Sequence, residues 1–155
     1  MNLIALLIAA ATLIAAPGDK EAKTVTVRMV AVHASSTGQK TKQFGSGTEE
    51  VRSALSDLNF DTYKLVKSAT ANAPYGKETQ IPIDATYTLY VTPVSKDAGY
   101  RIKVEVRIAM PDRRSGGKSV NAVTTTAVVA QNSKFKLRGL PLDQGELVVV
   151  LSVKE

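Results

Sequence analysis

Residues 101–108 read Arg-Ile-Lys-Val-Glu-Val-Arg-Ile, an unbroken alternation of charged and aliphatic side chains. A strand accounts for this pattern, because successive Cβ atoms point to opposite faces with a period of two. Arg101, Lys103, Glu105 and Arg107 then face water, and Ile102, Val104, Val106 and Ile108 face a core. A strand with one apolar face needs a second layer to cover it. Asp97-Ala98-Gly99 supplies a turn from the extended segment before it. The chain is therefore expected to be organised around a hairpin lying within Ile81–Met110.

Other segments carry the same signature. Val25, Val27, Met29 and Ala31 share one face of a first strand, and Val30 and Val32 predict that its second half is covered on both sides. Ala34–Gly47 reads as polar and flexible. Val51, Ala54, Leu55 and Leu58 follow helical spacing behind Thr48 as N-cap, with Glu49 and Glu50 in the first turn. About three turns of helix, ending near Asn59, are expected. Phe60–Ala71 is extended, with Tyr63, Leu65 and Val66 assigned inward. The strand over 76–83 holds Pro82, which suits an edge or a bulge. Ser119–Ala130 is rich in Val and Thr and reads as a strand. Lys134–Arg138 is amphipathic, 140–145 reads as a loop, and Glu146–Val153 is apolar enough to sit centrally.

The fold class predicted is mainly β (α+β): an antiparallel β-sandwich or curled sheet of about eight strands, with one short helix after the first strand. A parallel βαβ unit formed by the first strand, the helix and the next strand is an alternative for that part. No internal repeat or linker marks a second domain among the 155 residues.

The first eighteen residues form a separate region. Leu3–Ala16 is apolar except for Thr12, followed by Pro17-Gly18 and then charge from Asp19. This length suits a signal peptide rather than a spanning helix, which needs roughly 20 residues. Residues 1–18 are thus read as a signal peptide and 19–155 as one exported domain, periplasmic or extracellular, with no stable span after cleavage. The absence of cysteine excludes a bacterial lipoprotein anchor, disulfides and thiolate chemistry.

The net charge is +6, but the basic residues are spread along the chain, aromatics are few and Trp is absent. That argues against specific nucleic-acid binding, which uses a clustered basic face with stacking aromatics. Gly116-Gly117-Lys118-Ser119 resembles the tail of a phosphate-binding loop, yet Asp112 stands where that motif needs Gly. Gly45-Ser46-Gly47-Thr48 precedes a helix, but Glu49 and Glu50 would repel an anion there. His33 is the one histidine, and no G-x-S-x-G elbow accompanies it. Asp57, Asp61, Asp84, Asp97, Asp112 and Asp143 lie at turns and element ends, where Asp stabilises the backbone. Tyr87, Tyr90 and Tyr100 are assigned to core and cross-strand packing. No cofactor or metal site is expected. The candidate binding residues are Lys40 and Lys42 in one loop and Arg113, Arg114 and Lys118 in another.

The pattern Leu-x-x-Leu-x-Phe-Asp-x-Tyr-Lys-Leu-Val at 55–66 resembles that of small exported bacterial β-rich proteins of unassigned function. The Ile-Pro-Ile hairpin and the last strand, opened by Gly-Glu-Leu-Val-Val-Val, add to the resemblance. It implies a bacterial envelope protein, an accessory component of a larger assembly, and it transfers no catalytic residue. Three functions are expected in descending order: a non-enzymatic accessory domain binding another envelope protein through a strand edge or the basic loops; a module for an anionic envelope polymer; and a small hydrolase using carboxylates or His33.

Overall fold

The computed structural model describes residues 23–155. The signal-peptide reading of residues 1–18 lies outside the described residues. Nine strands form two open sheets: β1 (Thr24–Ser35), β2 (Gln43–Phe44), β3 (Thr62–Pro74), β4 (Thr79–Pro82), β5 (Thr88–Lys96), β6 (Arg101–Pro111), β7 (Ser119–Ala130), β8 (Lys134–Leu142) and β9 (Gly145–Lys154). The order is β2-β3-β1-β9-β8 in one sheet and β4-β5-β6-β7 in the other. The mainly β, sandwich-like class read from the sequence is the one observed. The strand beyond the expected eight is β2.

Between the sheets lie Val25, Val27, Met29 and Ala31 of β1, Ile102, Val104, Val106 and Ile108 of β6, and Leu147, Val149 and Leu151 of β9. The period-two pattern at 101–108 thus delivers its aliphatic row to the shared core. The β5–β6 hairpin forms the middle of its sheet. On the far side of the other sheet, Val30, Val32, Val148 and Val150 meet Val51, Leu55 and Leu58. β1 and β9 are covered on both faces, which explains their nearly continuous apolar runs.

The helical segment is shorter than its pattern predicts. A 3₁₀ turn at Glu49–Val51 leads into α1 (Arg52–Leu55). Thr48 is not a side-chain N-cap; it is buried, and its hydroxyl donates to the Gly45 carbonyl at 2.6 Å. The exit is captured by side chains. The Tyr63 hydroxyl reaches the carbonyls of Leu55 (3.1 Å) and Phe60 (3.1 Å). Lys136 Nζ donates to Ala54 O at 2.8 Å, and Lys42 Nζ donates to Ser56 O at 2.6 Å and to Leu58 O. Carbonyls satisfied in this way need no further helical turn. Ser56, Asp57 and Asn59 are weak helix formers besides.

Several other expectations are corrected. β1 and β3 pair antiparallel, so no βαβ unit forms; the parallel pair is the short one between β2 and β3. The segment expected to be flexible holds β2 and is tied down by Asp61, which accepts N–H bonds from Thr37, Gly38 and Gln39 at 2.9–3.1 Å. Leu65 is 38% exposed, lying over Gly47, where an added Cβ would approach its Cδ2 to 2.6 Å. Val66, assigned inward, is half-buried and packs against the core as the extra residue of a bulge: Ala31 opposes Lys67 and Val32 opposes Leu65. Tyr87 is buried, but Tyr100 is 68% exposed. Tyr100, with φ +60°, takes the left-handed position of the β5–β6 turn, closed by Tyr100 N–H to Asp97 O at 3.0 Å. Residues 140–142 belong to β8, resumed after a bulge at Arg138-Gly139 where Gly139 has φ +85°. Pro82 lies on the edge strand β4, as its chemistry requires.

Candidate interaction edge

An open sandwich has four edges, each exposing backbone N–H and C=O groups that can template another strand. Here they are β2, β8, β4 and β7. β2 has two residues, and β4 has four, ending in Pro82. β8 carries Lys134, Lys136 and Arg138, a Gly139 bulge and Pro141. These are the features by which edges resist pairing. β7 has none of the side-chain ones: its twelve residues, Ser-Val-Asn-Ala-Val-Thr-Thr-Thr-Ala-Val-Val-Ala, include no charge and no proline. Its one irregularity lies near its start, where Ile108 opposes Val123 and Ala109 opposes Asn121. Among the described residues, no strand pairs with its outer side.

The side chains of β7 form two rows. Val123, Thr125, Ala127 and Val129 lie opposite Ile108, Val106, Val104 and Ile102 and point toward the core, yet all four are only half-buried. Phe135 of β8 is also half-buried, and β7 lies beside β8. The apolar core is therefore incompletely closed along this edge. The outer row carries Thr124, Thr126 and Val128, the last 54% exposed. One more strand beside β7 would bury the first row and pair with the second.

The β6–β7 loop adjoins the start of this edge. Asp112 organises it, accepting the Arg114 N–H at 2.9 Å and the Ser115 hydroxyl at 2.5 Å. These bonds, the Ser115 hydroxyl first, hold its carboxyl below the usual carboxylate range. Arg113, Arg114 and Lys118 are exposed, and among the described residues none of them is in an ion pair. Arg101, Arg107, Lys136 and Arg138 instead hold Asp97, Glu78, Asp57 and Glu146.

The two basic loops adjoin strands of different sheets. Lys40 and Lys42 follow β1 on the β2–β3 side, beside an open depression of about 420 Å³ that also includes Asp57 and Asp61. Both are exposed, and Lys42 is committed to carbonyls at the exit of the helix. The 112–118 loop joins β6 to β7 in the four-stranded sheet. Alternation identifies Ser119–Ala130 as a strand but does not mark it as an edge. The signal available was the lack of charge over the fifteen residues between Lys118 and Lys134.

The carboxylates mostly stabilise turns. Asp61 lies well below the ordinary carboxylate range, chiefly because of the Thr37 N–H and then the Thr62 hydroxyl. Asp84 accepts the N–H groups of Thr86 and Tyr87, and Asp97 accepts that of Arg101. His33 pairs in register with Lys64 and Leu147, and its buried Nε2 has no hydrogen-bond partner. Among the described residues, no group of three or more His, Asp or Glu side chains is arranged to hold a metal ion. None of their helices is long and apolar enough to cross a membrane.

No family model, curated protein or solved structure matches this chain.

Proposed function

We propose that this protein is an exported, non-enzymatic accessory domain that binds another envelope protein by accepting an extended segment of it beside β7. The observation that carries the reading is the contrast among the edges: β7 is the long one left without charge or proline. Strand addition draws on main-chain hydrogen bonds for affinity and on alternate side-chain positions for selectivity. The half-buried row Val123, Thr125, Ala127 and Val129 supplies those positions. Export is supported by the apolar run Leu3–Ala16 followed by Pro17-Gly18.

The test is chemical crosslinking in intact cells, followed by purification of the tagged protein and mass spectrometry. Wild type is compared with the Thr126→Lys/Val128→Lys variant. The proposal expects a dominant envelope protein whose crosslinks disappear in the variant. The same crosslinks in both proteins, or crosslinks solely between copies of this chain, would overturn it. A second reading, a module for an anionic polymer, is favoured by the unpaired cations Arg113, Arg114 and Lys118. It predicts binding that is lost on replacing those three with Ser and indifferent to the β7 variant.

A further inference from the structure

Resting on the reading of β7 as a binding edge, we propose the chemistry of its partner: an extended peptide segment added antiparallel to β7, uncharged through its middle and acidic at its C-terminal end. The direction follows from the sheet. β4, β5, β6 and β7 pair antiparallel throughout, and antiparallel pairing is slightly more stable per residue. β7 starts at Ser119, directly after the 112–118 loop. A segment running against it therefore ends beside that loop.

The uncharged middle follows from the inner row. Residues opposite Val123, Thr125, Ala127 and Val129 would extend the core toward Phe135, and a charge placed there would be desolvated without a partner. On the outer row, Thr124, Thr126 and Val128 favour β-branched or hydroxyl neighbours.

The acidic end follows from charge left uncompensated. Arg113, Arg114 and Lys118 fall within six residues, all exposed. The loop's one carboxylate, Asp112, is already occupied by Ser115 and the Arg114 N–H. Elsewhere on the same sheet, Arg101 and Arg107 are neutralised by Asp97 and Glu78, which leaves Lys103, opposite Val128, as a single cation against the three of the loop. A second copy of this chain fits less well. Antiparallel pairing of two β7 strands would bring the loop cations of one copy toward Lys134 of the other.

The experiment titrates the purified protein with three synthetic peptides, each beginning Thr-Val-Thr-Val-Thr-Val. They end in Asp-Glu-Asp, Ser-Gly-Ser or Lys-Arg-Lys, and a fourth carries Asp-Glu-Asp at the N-terminal end instead. Affinity is read by fluorescence anisotropy, and location by backbone amide chemical shifts. The C-terminally acidic peptide should shift amides of both 113–118 and 119–130. It should bind about tenfold tighter than the neutral peptide, as expected for a few exposed charge pairs, with the gap narrowing in salt. Arg113→Glu/Arg114→Glu/Lys118→Glu should reverse the preference toward the basic peptide. Equal binding of acidic and neutral peptides at β7 would overturn the acidic end while leaving the edge reading intact. Tighter binding of the N-terminally acidic peptide would overturn the direction. Absence of β7 shifts with every peptide would overturn both this inference and the edge reading beneath it.

Discussion

β7 and β8 are consecutive strands, joined by a short turn through Asn132, and each lies at the edge of its own sheet. They handle that position differently. β8 presents Lys134, Lys136 and Arg138, breaks its ladder at Gly139 and ends near Pro141. Its charges also have structural partners: Lys136 holds the Ala54 carbonyl and Asp57, and Arg138 holds Glu146 across the bulge. β7 presents Val, Thr and Ala, and its charged neighbours lie on β6 or in the loop. Three of the four edges thus carry features that resist pairing, and β7 alone lacks the side-chain ones. An uncharged edge of this length invites pairing, and the proposed partner is what takes up that invitation.

The largest expected effect tests how deeply each strand enters the core. Leu137 of β8 is 6% exposed, and Leu137→Ala should cost about 2–4 kcal/mol in urea unfolding. Val129→Ala in β7 should cost about 1 kcal/mol or less, because that side chain is only half-buried and loses less on truncation. Equal losses would show that β7 is as integral to the core as β8 and would weaken the contrast.

A second pair of substitutions separates binding from stability. Thr126→Lys/Val128→Lys adds charge to the exposed row of β7 and should change stability by less than about 0.5 kcal/mol, yet abolish partner crosslinks. Lys136→Met on β8 should do the reverse. It removes a donor from the helix exit, lowering the urea midpoint and speeding amide exchange around Leu58, while leaving the crosslinks unchanged.

The acid limb of stability depends on a carboxylate adjoining β3, in the sheet without β7. Asp61 has a folded pKa below its unfolded value of about 3.9. Its contribution is therefore present above that value and is lost as pH falls through the folded pKa. Asp61→Asn should flatten the fall in stability below about pH 4 and release the amides of Thr37, Gly38 and Gln39 to exchange. β7 crosslinking should be unaffected. The smallest effect is expected from opening the guarded edge. Lys134→Thr/Pro141→Val should give weak, concentration-dependent self-association by light scattering, without the partner specificity of β7.

Strand identity was legible wherever one face is buried, because the period of two is then enforced by the core. The row Ile102, Val104, Val106 and Ile108 shows this, as does the central position of β9. What alternation does not carry is the pairing partner. β1 and β3 could have joined in either direction, and the antiparallel choice depends on contacts remote in sequence. Helix length was overestimated because Val51, Leu55 and Leu58 keep helical spacing through a 3₁₀ turn and a short exit. Lys42 looked like a free loop cation, but the carbonyls it meets lie fourteen and sixteen residues further along. Arg113, Arg114 and Lys118 are exposed in the loop where the sequence located them.

The central claim is that β7, and not β8, is where a partner sits. Its most direct test places a photo-crosslinking phenylalanine analogue at Val128 in one strain and at Arg138 in another, with irradiation of intact cells. One discrete adduct with a second protein is expected from position 128 and none from position 138. Adducts of equal yield from both positions, or none from position 128, would contradict it.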